Sequence, residues 1–173
     1  PLATLVTDRF HVQKLAIEAL QQIRVEHRWE AIDAENEAIQ YAKTENKSFE
    51  PIVLSNGDTL KQLLVRSRYL LYKKQSEWKE RQQERAKLLF ELYPDIEKAY
   101  KLSQELSAVF ENTTDKTSGR TRLAQWHEKV RKSGFKSFNT ISRTITNHYE
   151  TILNYFDNRS TNASAESFNA KIK

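Results

Sequence analysis

Two stretches at opposite ends of the chain hold residues whose types and spacing could do chemistry. The first is NRSTNASAESFNAKIK, residues 158–173, which sets one acid, Glu166, among small and amide-bearing residues and closes on Lys171 and Lys173. On a helix beginning near Asn162 or Ala163, the residues Ala165, Phe168 and Ile172 line up as an apolar stripe. Asn162, Glu166, Asn169 and Lys173 form a wholly polar stripe beside it. Glu166 then lies at the rim of a buried interface, flanked by amides rather than by a neighbouring cation. A carboxylate held firmly yet open to solvent suits a hard cation. An exposed structural glutamate fits the same pattern, and this stretch alone leaves both readings open. The second stretch is TDRFHV, where Asp8 ends a β-branched and apolar run from Leu2 to Thr7. Acids at strand ends are common turn residues. Asp8 gains weight as a unit with Arg9 and His11, presented directly before a helix.

Phosphate chemistry has its own candidates. Arg66 and Arg68, in VRSRYLL, present guanidinium forks of the kind that match phosphate oxygens. Lys171 and Lys173 stand next to Glu166 and are a second cationic pair. The net charge of +5 is modest but unevenly spread. Residues 26–50 carry seven acids against three bases, residues 61–87 nine bases against three acids, and residues 115–136 seven bases against two acids. Two basic blocks around an acidic one suggest a face for phosphates; a solvated helix surface would give the same counts.

The elements that must position these residues are helical. Only three glycines and three prolines interrupt 173 residues, and the remaining composition favours helix. From Phe10 to Thr44 nothing breaks an apolar stripe of Leu15, Ala19, Leu20, Ile23, Trp29, Ile32 and Ile39, although its phase shifts near Glu26 and His27. KSFEPIVLSNGD reads as a loop. Asp58 or Thr59 caps a helix with Leu60, Leu63, Leu64 and Leu71, and Ser76 caps another that runs to Tyr93. Pro94 opens the next, with Ile96, Ala99, Tyr100, Leu106 and Phe110 on its apolar face. NTTDKTSG reads as a loop, followed by a short helix with Leu123, Trp126 and Val130 that Gly134 ends. One last long helix runs from Phe138 through Ile141, Ile145, Tyr149, Ile152 and Leu153 to Phe156. Trp29, Trp78 and Trp126 are expected to pack between helices, and His27, His127 and His148 to be structural. The opening run from Leu2 is too short to stand as a strand without neighbours. The absence of methionine and the start at Pro1 suggest an excised piece of a longer chain. No apolar stretch is long enough for a membrane span, and no cysteine is present for a disulfide or thiolate site.

Taken together, LVTDRFHV and TNASAESFNAKIK resemble the DDE transposases of bacterial insertion sequences, in the ISL-three-type branch. In that family an Asp closes a strand in a D-R-F-H-V setting, and the Glu sits in S-N-A-x-x-E-S-x-N-x-x-I-K. Here Thr161 replaces the opening serine and every other specified position agrees. NGDTLKQLLVRSRYLL and ERAKLLFELYPDIEKAY are similar to the family's helical insert. The resemblance implies a ribonuclease H-like core with three acids, of which Asp8 matches the second and Glu166 the third; the first would lie ahead of Pro1. It implies a mainly α fold: residues 1–12 as the end of a core strand, 13–157 as a helical insertion, and 158–173 as the return to an incomplete core. Two cations, Mg²⁺ or Mn²⁺, would be shared by Asp8 and Glu166, roughly 3.5–4 Å apart, for DNA strand cleavage and transfer. Asn162 and Asn169 would orient the carboxylate, while Arg66, Arg68, Lys171 and Lys173 would contact DNA. A homodimer on transposon ends and target, acting in the bacterial cytoplasm at the nucleoid, is the implied setting. The chain by itself is expected to be inactive, lacking the first acid. Some transposases stack an insert aromatic on a flipped base, which makes Trp126, beside Arg120 and Arg122, a candidate. The rivals are a non-enzymatic helical module that binds nucleic acid or protein, and a purely structural helical domain.

Overall fold

The computed structural model describes residues 9–157. Among them the structure is helical: seven α-helices, two short 3₁₀ turns and one isolated antiparallel bridge, Val53 with Thr59. The helices are α1 (Arg9–Thr44), α2 (Leu60–Arg66), α3 (Glu80–Leu92), α4 (Pro94–Asn112), α5 (Lys116–Ser133), α6 (Lys136–Asn147) and α7 (Tyr149–Asp157). The mainly α expectation therefore holds, while the opening strand and the closing helix with Glu166 lie outside the described residues. The chain divides into two compact units, residues 17–101 and residues 1–16 with 102–173.

In the unit of residues 17–101, α1 contributes Ala19, Leu20 and Ile23 to a core with Leu63, Leu64, Leu70, Leu71, Trp78, Ala86, Leu89 and Ile96. Beyond Arg24, no residue of α1 is fully buried as far as Thr44. Trp29 is 59% exposed, against its expected role between helices, because the apolar phase shift turns it away from the core. Thr59 caps α2: its hydroxyl accepts the Gln62 N–H, and the Gln62 carboxamide accepts the Thr59 N–H. The expected helix through Leu71 stops at Arg66. There the buried Ser67 hydroxyl donates to Leu63 O at 2.6 Å, a bond that competes with helix continuation. The chain resumes as a 3₁₀ turn, Leu70–Tyr72.

The helix expected from Ser76 begins later, at Glu80. Trp78 donates its indole N–H to Leu70 O at 2.7 Å and packs its ring 5.4 Å from Tyr100 and 6.1 Å from Phe90. Those contacts hold Trp78 in extended backbone (φ −73°, ψ 131°), so Gln75–Glu77 forms only a 3₁₀ turn. The Tyr100 hydroxyl donates to Lys73 O at 2.8 Å, and burial pushes its phenol up to about 12. Pro94 opens α4 as expected.

In the other unit, α5, α6 and α7 pack on one another around Leu106, Phe110, Leu123, Trp126, Val130, Phe138, Ile141, Ile145, Ile152, Leu153 and Phe156. Asp115 caps α5, its carboxylate accepting the Ser118 N–H at 2.8 Å. Part of the expected NTTDKTSG loop is thus helix. Gly119 serves packing there rather than a turn: a Cβ would fall 2.4 Å from the Phe156 ring. Gly134 ends α5 with φ 74°, a left-handed value suited to glycine. The last stripe is buried as expected except at Tyr149, which is half-buried, and it lies on two helices rather than one. Thr140, Thr144 and Thr146 donate their hydroxyls to the carbonyls of Lys136, Thr140 and Ser142. Such back-bonding loosens a helix, and the backbone breaks at His148 (φ −112°, ψ 26°).

Candidate functional site

Of the residues singled out by sequence, Asp8, Asn162, Glu166, Asn169, Lys171 and Lys173 lie outside the described residues. Among the described residues, no cluster of three or more histidine, cysteine, aspartate or glutamate side chains could hold a metal ion. No helix there is long and apolar enough to cross a membrane.

Arg66 and Arg68 have separate surroundings. Arg66 Nη1 pairs with Asp58 Oδ1 at 2.5 Å, and Arg85 Nε reaches the other oxygen of the same carboxylate at 2.9 Å. Asp58 is almost fully buried, and Asn56 donates to it at 2.8 Å. Burial alone would raise its pKa, but the hydrogen bonds from Arg85, Arg66 and Asn56 outweigh that and hold the carboxyl below its ordinary value. Arg66 is therefore a structural partner first. Arg68 is exposed, with its guanidinium carbon 5.5 Å from the centroid of the Tyr69 ring. Its backbone is fixed by Gln21 Nε2, which donates to Arg68 O at 2.9 Å.

Next to this segment, Arg24 is buried in α1 and donates from Nη1 to Leu64 O at 2.9 Å and from Nε to Gln21 Oε1 at 2.6 Å. Burial lowers its pKa first, and the charges of Arg68 and Arg28 lower it further. Arg28 lies one turn along α1, and its Nε is buried without a hydrogen-bond partner. Sequence reasoning missed Arg28, Tyr69 and Tyr72. The signal that could have found the tyrosines was the run of basic, aromatic and leucine positions in VRSRYLLY, whereas Arg28, in VEHRWE of α1, carried no such signal.

The other aromatic and histidine candidates are structural. Trp126 is buried and donates its indole N–H to Leu102 O at 2.9 Å, so its ring is closed to a base. His127 Nδ1 lies 2.5 Å from Ser142 Oγ, and burial lowers its pKa. His27 sits between Glu30, 2.8 Å from Nδ1, and Asp95, 2.5 Å from Nε2. Burial pulls its pKa down, but the two carboxylates outweigh this and the net shift is upward.

The family model that matches this chain is that of the ISL-three-type DDE transposases, described as transposase, and it matches residues 1–173. The chain belongs to that transposase family. No curated protein and no solved structure matches it.

Proposed function

We propose that this chain supplies two of the three acids of a transposase active site, Asp8 and Glu166, for metal-dependent DNA strand cleavage and strand transfer in the movement of an insertion sequence. The observation that carries this is the family match along the whole chain, joined to the agreement of TNASAESFNAKIK with the family's glutamate motif. The donor set fits hard divalent cations: two carboxylates, in a chain without a cysteine. Asp8 and Glu166 would hold Mg²⁺ or Mn²⁺, which would supply Lewis acidity to activate a water or a 3′-hydroxyl and to offset charge on the leaving oxygen.

The protein's own groups have narrower tasks. Asp8 and Glu166, 158 positions apart, must converge, which makes the helical body a spacer between two parts of a ribonuclease H-like core. In this arrangement residues 1–12 and 158–173 belong to the core and residues 13–157 are the insertion. Asn162 and Asn169 orient the Glu166 carboxylate through neutral amides that do not compete for its charge. Lys171 and Lys173 hold the phosphates beside the reacting bond. Arg68 is the better DNA contact of the arginine pair, since Arg66 is held by Asp58. A third acid ahead of Asp8 completes the site, and joining two transposon ends to a target calls for two copies.

The test is Glu166→Gln in the full-length transposase that carries this chain. Strand cleavage on a transposon-end substrate should be lost while end binding, read by gel shift, is retained. Cleavage at the parent rate by the glutamine variant would remove Glu166 from the site.

A further inference from the structure

The turn that follows α2 departs from ordinary surface chemistry. Leu70 and Leu71 are fully buried, whereas Tyr69 and Tyr72 are 68% and 45% exposed. The Tyr72 N–H donates to Tyr69 O at 3.2 Å, which closes a 3₁₀ turn. In that geometry side chains three apart eclipse one another, so the two tyrosines share one side of the turn and the leucines anchor it from the other. The backbone is held on both flanks. Gln21 fixes Arg68 O and the Trp78 indole fixes Leu70 O. Two large rings are thus kept in water on a turn that has little freedom to bury them.

Cations gather at the same place. The Arg68 guanidinium stands by the Tyr69 ring. Arg28 follows Arg24 by one helical turn, and Arg24 is occupied with Leu64 O and Gln21. Among the described residues, neither Arg28 nor Arg68 is paired with a carboxylate, and Arg28 Nε has no hydrogen-bond partner at all. The three guanidiniums are close enough for Arg28 and Arg68 to depress the Arg24 pKa, after burial. Like charges brought together without compensation are destabilising unless an anion joins them.

We propose that Tyr69 and Tyr72, with Arg28 and Arg68, form a binding site for an unpaired DNA strand, the rings stacking on bases and the guanidiniums holding the phosphates. The choice of DNA rests on the transposase reading; the choice of an unpaired strand rests on the rings. Free phosphate would use the arginines and leave the tyrosines idle. A duplex hides its base faces, so exposed rings gain stacking only where bases are open. Strand cleavage and transfer generate such ends, and a fixed aromatic and basic turn would retain one.

The test uses the 173-residue chain and fluorescence anisotropy with two labelled probes. One is a thymine single strand of about 12 nucleotides, within the ~4–16-nucleotide span of single-strand sites; the other is a blunt duplex with the same number of phosphates. The parent chain should prefer the single strand. Tyr69→Ala with Tyr72→Ala should weaken single-strand binding about tenfold or more and leave duplex binding unchanged, while Phe at both positions keeps the preference. Arg28→Gln and Arg68→Gln should weaken both probes and lower the single-strand salt slope by about 0.7 for each phosphate that is no longer neutralised. Circular dichroism confirms folding, which these exposed tyrosines do not support. The proposal is overturned if the double alanine variant binds the single strand like the parent, or if the parent holds the duplex as tightly. Neither result touches Glu166, and cleavage by the Glu166→Gln variant would not touch this site.

Discussion

The two compact units are held together in different ways. In residues 17–101 side-chain donors repeatedly satisfy buried or turn carbonyls: Arg24 on Leu64, Gln21 on Arg68, Trp78 on Leu70 and Tyr100 on Lys73. A nearly buried carboxylate, Asp58, ties Arg66 and Arg85 to the loop before α2. In residues 102–157 the stripes of α5, α6 and α7 meet around Phe110, Trp126, Phe138 and Phe156. Side-chain donors to carbonyls are mostly local there, as in Thr140, Thr144 and Thr146, with Trp126 on Leu102 and Arg122 on Asn112 reaching between helices. The contrast follows from backbone regularity. A helix satisfies its own interior carbonyls and needs only a non-directional apolar face. Short helices and 3₁₀ turns leave carbonyls open, and each needs a directed donor. The irregular unit is also the one that holds Tyr69, Tyr72 and Arg68 at fixed positions in solvent, because a turn pinned by hydrogen bonds can point large side chains outward.

The largest expected effect lies in the apolar unit. Trp126→Ala removes a fully buried ring and its bond to Leu102 O, and should cost about 3–5 kcal/mol in urea unfolding. Trp29→Ala, at an exposed position on the stretch of α1 without a fully buried residue, should stay within about 0.5 kcal/mol of the parent. Comparable losses from both tryptophans would show that the second half of α1 carries a core after all.

The same contrast explains what could be read from sequence. Phe138, Ile141, Ile145, Ile152, Leu153 and Phe156 announced their face because a regular helix converts burial into period, and every one is buried. The break at His148 was not legible, since threonine hydroxyls bonding back to carbonyls leave the apolar period intact. Pro94 and Gly134 acted through local backbone constraints and fell where expected. Trp78 did not, because its effect is tertiary: the indole reaches a carbonyl eight residues back and delays α3. Gly119 looked like a loop residue, while its role depends on Phe156, far along the chain. Asp8 and Glu166 were read from motif alone, and both lie outside the described residues. Tyr69 and Tyr72 were obscured by the leucines between them, because apolar counting treats YLLY as one run.

A smaller loss is expected from Asp58→Asn. The amide keeps the shape but removes the charge facing Arg66 and Arg85, at about 1–3 kcal/mol for weakened charge-assisted bonds. The pH dependence gives a second check. The folded carboxyl lies below its ordinary value, with burial opposing and Arg85, Arg66 and Asn56 favouring the shift. Its contribution is therefore present above about pH 4, the ordinary aspartate range, and is lost as pH falls through the folded pKa. Parent and Asp58→Asn chains should converge in urea midpoint on acidification. Midpoints that stay parallel to the acid limit would mean that this carboxylate is not selectively stabilised in its charged form.

The smallest effect concerns His27, the other polar fastener of the irregular unit. Its ring lies 4.7 Å from Tyr93 and between Glu30 and Asp95. Burial opposes protonation, the two carboxylates outweigh it, and the folded pKa is raised. The sign is then opposite to that of Asp58. The contribution is full below the unfolded imidazole value, about 6.5, and disappears as pH rises through the folded pKa. Both carboxylates are partly in water, Glu30 71% exposed and Asp95 41%, so screening keeps the gain small. Between pH 6 and pH 9 the parent should lose slightly more stability than His27→Gln, and added salt should narrow the difference. A parent that gains stability over the same range would mean that burial, and not the carboxylate pair, governs this imidazole.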